Sequence, residues 1–592
     1  MAKKWTSSLS MTLIASLVMS SGALANSGTP SDEVPEENSE NSRILYQDDA
    51  DVSVQMQRSV ENQKSNADSA KRFLEANKDL FDMANPLQDM EVLEEQTDDE
   101  GMTHIRLQQT KNGIPVEGHE VIVHFDKDDN VDSVNGHFNA QVDEMDVVTS
   151  SATLQEEEAI ENAREAVVAP EDLEEGPEIE LVYYPLGDDA HLAYKVNITY
   201  RTEDPGNWFV FIDAGTGEVL DQYNTISHMA EAAGLEDEEL QNEENKQADA
   251  SSSVSNAEPD PGAYQSATGP GIGVHGEHRV LNISHKAAAN GPGRTFSLFD
   301  FSIPNLDGIL TYDAEEDFSL PGVPYSNVGA AFDLRDESHA AAVDAHYNST
   351  TVYEYFLEEH GRNSIDNEGM ALVSTVHYGE DFANAFWDGS QMTYGDGDDE
   401  FFIPLSAGLD VAAHEITHGV TEHTAGLVYR FQSGAVNEAM SDIFGVLVDD
   451  SSWHVGDDVM APAAIEDGRF ALRSLEDPGL FDVDEAYWEH GDGSGAYPSH
   501  MDEYYDLPIE LDNGGVHTNS SIINHAAYLI GQEIGREDLG QIAYRALTTY
   551  LTPMSDFDDT RFAFVQSAID LYGEDSDQAE ATGDGFDGVG IE

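Results

Sequence analysis

Two histidines four residues apart, with a glutamate beside the first, form the stretch of this chain best suited to do chemistry: His414-Glu415-Ile416-Thr417-His418. On a helix, positions four apart lie one turn from each other, so both imidazoles point the same way and can share one divalent cation. Glu415 then sits where it can accept a proton from a water activated by that cation. In a chain with 21 histidines the pattern arises by chance in roughly a few of every hundred such sequences, so its context matters. A catalytic zinc site needs a third protein ligand and an open position. The run Ser433-Gly434-Ala435-Val436-Asn437-Glu438-Ala439-Met440-Ser441-Asp442 opens a second helical pattern, and its Glu438 lies 24 residues after His414. That is far enough for a loop and a return, which makes Glu438 the expected third ligand. Asp442, one turn further on, can face the same centre and accept an N–H from a ligand imidazole, fixing its tautomer.

The elements that must hold these residues are legible in coarse form. Past Val411, helical patterns dominate, at 411–424, 434–449, 519–534, 536–551 and 557–572. The stretch from 263 to 409 mixes strand patterns with Gly-rich turns. Upstream, residues 45–225 read as α+β. Strand-like alternation at Ile105–Leu107, Val121–Phe125 and Val131–Phe138 is punctuated by Asn112-Gly113 and Asp128-Asp129-Asn130. A helix is expected over Leu154–Val168. Strands follow at Ile179–Tyr184, Leu192–Tyr200 and Trp208–Asp213, with a hairpin at Asp213-Ala214-Gly215-Thr216-Gly217. Residues 229–262 are Glu, Asp, Gln, Asn, Ser and Ala with few large apolar residues. Composition makes them a linker, exposed enough for a protease to cut. At the start, Lys3 and Lys4, an apolar run from Met11 to Met19 and Gly22-Ala23-Leu24-Ala25-Asn26 form a signal-peptide pattern with cleavage after Ala25. Residues 26–44 have the composition of a disordered segment.

The division that follows is a signal peptide at 1–25, a disordered segment at 26–44, small modules at 45–150 and 151–228, the linker at 229–262, a β-rich lobe at 263–418 that includes the His-Glu helix, and a helical lobe at 419–592. Its 592 residues suit several domains. The chain has no cysteine, which excludes disulfides, thiolate metal sites and cysteine nucleophiles. Lys and Arg total 26 against 117 Asp and Glu, a formal net charge of −91. Such a surface repels nucleic acid and anionic membranes. Its self-repulsion opposes compaction at low salt and fades at high salt, which points to a saline habitat.

Beyond this chemistry, residues 263–592 resemble the thermolysin-like metallopeptidases. The matching stretches include Ser374-Thr375-Val376-His377-Tyr378, Asn384-Ala385-Phe386-Trp387, Tyr394-Gly395-Asp396-Gly397-Asp398, Phe402-Ile403-Pro404-Leu405, Asn437-Glu438-Ala439, Asp512-Asn513-Gly514-Gly515-Val516-His517 and Tyr550-Leu551-Thr552-Pro553. Thermolysin is itself the standard example of a two-His, one-Glu zinc site. The resemblance implies an α+β, two-lobed catalytic domain with the zinc helix between the lobes, preceded by propeptide modules that assist folding and inhibit the enzyme. It implies Zn²⁺ on His414, His418 and Glu438, with Asn437 and Asp442 supporting the ligands. Glu415 would activate water and pass its proton to the leaving amine. His517 and Tyr429 would donate to the tetrahedral oxyanion, with Asp512 orienting His517. Asn384, Ala385 and Arg473 would hold the substrate main chain. Phe402, Leu405, Val411, Val455 and Leu472 would line an apolar pocket for the residue after the scissile bond, favouring Leu, Phe, Ile or Val there. The product would be a secreted, monomeric endopeptidase that processes itself.

The family's calcium pattern is only partly present. Asp410 matches, Asp449 stands where a longer Glu is usual, Ser452 and His454 occupy positions normally acidic, and Asp457 remains. These three aspartates can supply one Ca²⁺ at most. An insertion at 479–497 carries Trp488 and Tyr497, either as a rim of the cleft or as a surface loop. Two rivals stay in view. An aminopeptidase would need an acidic anchor for the substrate amine, and a binding protein on an inactive scaffold would have lost Glu415, His517 or a zinc ligand.

Overall fold

A computed structural model describes residues 64–591 except 145–151, 171–172, 174–175, 188, 202–204, 230–258, 288–292 and 334–337, together with short backbone strands at Asp51–Ser53 and Met56–Gln57. The signal-peptide and 26–44 expectations, and nearly all of the linker, lie outside the described residues. No helix among those described is long and apolar enough to cross a membrane.

The upstream modules each build a core from the alternation seen in sequence. Thr103–Lys111, Ile114–Phe125 and Val131–Asn139 run antiparallel. Asn112 and Gly113 form the tight turn between the first two, both at positive φ (57° and 78°), as a two-residue hairpin of right-handed twist requires. Ile105, Leu107, Val121, Val123 and Phe125 face one side and bury against Phe73 and Leu74 of the helix Ala67–Ala76. In the second module the helix Glu156–Ala166 lays Ala159 and Ala163 on Val196, Ile198, Val210 and Ile212. The two cores are separate, yet their strands belong to one ten-stranded sheet, joined where Ile114–Phe125 meets Glu178–Leu186 in parallel at Val116 and Tyr183.

In the catalytic half, strands Ile309–Asp313, Leu372–Val376 and Met392–Tyr394 pair in parallel, and Ala385–Trp387 adds antiparallel to the last. A helix, His339–His360, runs for 22 residues through this β-rich lobe. The sequence reading did not find it, because its first half lacks a polar face. Ala341 to Ala345 are buried in succession, and His346, Asn348 and Ser349 are buried with them. The downstream helices fall close to expectation at Leu409–Glu422, Phe431–Val448, Asp512–Ile534, Arg536–Arg545 and Phe557–Tyr572. The first two are buried along almost their whole length. They therefore hold polar side chains away from water, where those side chains must satisfy one another. The insertion is built on its own small cluster of Val483, Tyr505 and Leu507 with Tyr487 and Tyr497.

Candidate metal centre and substrate cleft

His414 and His418 stand one turn apart on the helix Leu409–Glu422, with ring centroids 4.6 Å apart and Nε2 atoms 3.0 Å apart. Glu438, from the helix Phe431–Val448, brings Oε2 to 3.5 Å from His414 Nε2 and Oε1 to 3.3 Å from His418 Nε2. Among the described residues this is the one group of three or more His, Cys, Asp or Glu side chains whose candidate ligand atoms all lie within 4.8 Å of one another. All three side chains are buried. The remaining ring nitrogens are occupied. His414 Nδ1 lies 2.9 Å from Asp442 Oδ1, and His418 Nδ1 lies 2.9 Å from Asn437 Oδ1 and 3.1 Å from Ser441 Oγ. With Nδ1 held as donor, each ring turns a free Nε2 lone pair to the common centre. Two imidazole nitrogens and a carboxylate, with one side left for water or substrate, suit a catalytic Zn²⁺.

Asp442 ties this centre to a second part of the site. It receives Arg473 Nε at 2.7 Å and Nη2 at 2.6 Å, and Asn524 Nδ2 at 2.7 Å. Burial alone would raise its carboxyl, but the Arg473 charge and the bonds from His414 and Arg473 outweigh burial and hold it at about 2. Glu415 is fully buried, and neither of its oxygens meets a well-formed hydrogen-bond donor among the described residues. Burial, and then the charge of Glu438, push it well above the usual carboxylate range. A carboxylate so placed is a strong base for any proton brought to it.

His517 is set by an unusual start to its helix. Asp512, Asn513, Gly514 and Gly515 all take positive φ before regular helix begins. A Cβ on Gly514 would come within 2.2 Å of the Phe431 ring, and one on Gly515 within 2.4 Å of Asn519, so only glycine fits at both. The turn brings Asp512 Oδ1 to 2.6 Å from His517 Nδ1 while Oδ2 accepts from the Thr518 N–H. Tyr429 donates to Glu438 Oε1 at 2.5 Å, with its hydroxyl 3.2 Å from His517 Nε2. Burial, and then Glu438, raise the Tyr429 phenol well above its ordinary value, so it keeps its proton to donate.

A segment of this same chain lies in the cleft. Ser227 and His228 pair antiparallel with Trp387 and Phe386 on the edge strand Ala385–Trp387. The Met229 N–H donates to Ala385 O at 2.9 Å. His517 Nε2 lies 2.7 Å from His228 O, and Arg473 Nη1 donates to Met229 O at 2.8 Å. Asn384 caps its own strand through the Ala385 N–H, and its Nδ2 reaches His228 Nδ1 at 3.4 Å. Met229 is fully buried in the same apolar cluster as Phe402, Leu405, Val411, Val455 and Leu472. Side-chain bonds also dock the upstream modules on the catalytic half. Arg430 bonds Asp221 and Tyr184, and Arg545 reaches Asp98 at 2.8 Å.

The residues expected to bind zinc and to act on substrate are thus gathered in one place. The three aspartates considered for calcium form no such group. Asp410 spends Oδ1 on the Val411 N–H and Oδ2 on the Gly456 N–H, and burial together with Asp457 and Asp449 pushes it up to about 7. Ser441, Asn524, His228 and Met229 were not foreseen. Ser441 and Asn524 are polar residues on helices with no spacing signal, and the cleft-bound strand is set by tertiary pairing alone.

Comparison with known proteins agrees with this geometry. The thermolysin metallopeptidase catalytic domain matches residues 268–422, and the thermolysin metallopeptidase alpha-helical domain matches 425–591. The fungalysin/thermolysin propeptide motif matches 88–138, and the peptidase propeptide and YPEB domain matches 153–223. Thermolysin of Bacillus sp. (strain EA1) is 38% identical over 540 residues, covering 88% of this chain and 89% of that protein. Bacillolysin of Brevibacillus brevis is 38% identical over 535 residues, covering 88% of each. The solved precursor of protealysin, a metalloproteinase from Serratia proteamaculans, shares 33% identity over 49% of this chain and 90% of that one, with a TM-score of 0.42. The chain belongs to the thermolysin metallopeptidase family and is a metalloendopeptidase made with its propeptide.

Proposed function

We propose that this chain is a secreted zinc endopeptidase, exported by its first 25 residues, inhibited by residues 45–228 until they are cut away, and adapted to high salt. The observation that carries the reading is a peptide strand held beside the His414, His418 and Glu438 centre by Ala385, Arg473 and His517.

Zn²⁺ on His414, His418 and Glu438 would supply Lewis-acid polarisation and make water a nucleophile near neutral pH. The protein's own groups do the rest. Ala385 and Arg473 fix the main chain on the far side of the scissile bond, which turns attack into an oriented, intramolecular-like event. Asn384 steadies the Ala385 strand. Glu415, desolvated and facing the Trp387 backbone N–H, takes the proton from the attacking water and delivers it to the departing amine. His517, oriented by Asp512, donates to the scissile carbonyl oxygen as negative charge develops there, and Tyr429 stands beside it as a second donor. Asp442 and Asn437 hold the ligand imidazoles in the right tautomer.

The apolar walls Phe402, Leu405, Val411, Val455 and Leu472 support a preference for a bulky apolar residue after the scissile bond. One Ca²⁺ near Asp410, Asp449 and Asp457 would relieve the mutual repulsion of these acids. The formal charge of −91 supports the salt requirement. The test is hydrolysis of casein in high salt, with zinc content measured. Wild type should be active and cut mainly before Leu, Phe, Ile, Val or Met. Glu415→Gln should keep its zinc and lose activity by a factor of about 100 or more. A folded, zinc-loaded wild type that leaves casein intact would defeat the reading.

A further inference from the structure

We infer that the first self-cleavage breaks the His228–Met229 peptide bond, so that the acidic stretch 229–262 leaves this step still attached to the catalytic half. The inference rests on the proposed peptidase activity and assigns its first substrate. Sequence composition put the cut within 229–262, where the chain is exposed. The structure favours the bond at the upstream edge of that stretch.

Two consecutive carbonyls identify the bond. His228 O faces His517 Nε2 at 2.7 Å, and Met229 O accepts from Arg473 Nη1 at 2.8 Å. Between them the Met229 N–H is fixed on Ala385 O at 2.9 Å. The oxyanion donor and the main-chain clamp therefore bracket one peptide unit and leave no freedom of register. A shift by one residue would exchange every in-facing and out-facing side chain of the strand. Met229 has no exposed surface and joins the apolar cluster of the catalytic domain. It meets the apolar requirement for the residue following the cut. Its neighbour Ala230 is small and the next is Glu231, so a slip downstream would put an alanine or a charge at the buried place Met229 now fills. A water-sized space lies next to one of the ligand histidines. A cavity of about 590 Å³ between the upstream modules and the catalytic half reaches His418, Tyr429 and Asn437 and is lined elsewhere by Glu117, Lys195 and Asn197.

The step balances as simple hydrolysis. A water oxygen bonds to the His228 carbonyl carbon, Glu415 takes one water proton and returns it to the Met229 nitrogen, and the C–N bond breaks. The products are a His228 carboxylate and a Met229 amine.

The test follows purified full-length chain over time, with the termini of the first two fragments read by mass spectrometry and N-terminal sequencing. The expected upstream fragment ends at His228, and the downstream one begins Met-Ala-Glu. Its rate of appearance should not change on tenfold dilution, because enzyme and substrate are one molecule. Met229→Asp, which would bury a charge in an apolar pocket, should slow this cut by about 100-fold or more, while Met229→Leu should cut at the same bond. A first fragment beginning anywhere from 230 to 263 would overturn the inference, as would unchanged processing of Met229→Asp. If Met229→Asp does not fold, the wild-type termini decide by themselves. Casein cleaved by an enzyme whose first junction lies elsewhere defeats this inference alone. No cleavage of either substrate defeats the proposed peptidase activity itself.

Discussion

Replacing Asp442 by Asn tests whether one buried carboxylate couples the zinc ligands to the substrate clamp. Asp442 accepts from two nitrogens of Arg473 at 2.6 and 2.7 Å and from Asn524 at 2.7 Å, and lies 2.9 Å from His414 Nδ1. None of these groups is more than 3% exposed. Asparagine keeps the shape but removes the charge and turns an NH₂ toward one of the four donors. Losing one partner of a buried pair costs about 3–5 kcal/mol because the other charge stays behind. Glu438 Oε2, 3.9 Å from Arg473, offsets part of that, so we expect about 3 kcal/mol. At roughly 2 °C per kcal/mol for a domain of this size, Tm should fall by about 6 °C. The same change loosens the His414 tautomer and should weaken zinc by about 10–100-fold. Both are best measured in a Glu415→Gln background, which prevents self-cleavage, by thermal unfolding and by competition with a chromophoric zinc chelator. Asn524→Ala removes a single hydrogen bond and should cost only about 1 kcal/mol, with little change in zinc affinity. The sign with pH is also fixed. The Asp442 carboxyl is depressed to about 2, so its contribution is complete above the usual Asp range near 3.8 and is lost as pH falls through 2. Zinc affinity within about twofold of the parent, with Tm shifted by less than about 1 °C, would refute the coupling.

Three further outcomes follow. His124 stacks on Tyr550 at 4.4 Å, between the upstream modules and the catalytic half, and burial, then the His104 charge, hold it well below the ordinary 6.5. Its stabilisation is present above 6.5 and lost below it, so the cleaved propeptide should dissociate on acidification, and His124→Phe should flatten that pH dependence in size-exclusion assays. Raising NaCl from 0.1 to 1 M shortens the Debye length from about 10 to about 3 Å and should raise Tm markedly; an unchanged Tm would remove the case for salt adaptation. Calcium titration should reveal one site whose protection against heat is lost in Asp410→Asn, and two or more cooperative sites would contradict the reading of Asp449 and Asp457.

The cluster of His414, His418 and Glu438 was legible in the sequence because its spacing is local. His414 and His418 are one turn apart, and Glu438 and Asp442 one turn apart on the next helix, so helix geometry pairs each couple and the packing of the two helices brings the couples together. The strands of the upstream modules were legible for the same reason, through alternation and the Asn112-Gly113 turn. The helix His339–His360 was hidden, since burial on nearly all sides of its first half removes the amphipathic pattern on which such readings depend. Tertiary structure also decided what periodicity does not encode. The two upstream cores share a sheet through the single pairing of Val116 with Tyr183. Asp442 serves Arg473 and Asn524 as well as His414. Above all, Ser227–Met229 lies on the edge strand at Ala385, some 155 residues downstream. Composition placed the cut where the chain is exposed, whereas the register of that strand brings His228 O to His517 and Met229 O to Arg473. Hydrogen bonds between strands depend on which edge is free and which side chains find a pocket, and only the folded chain specifies both.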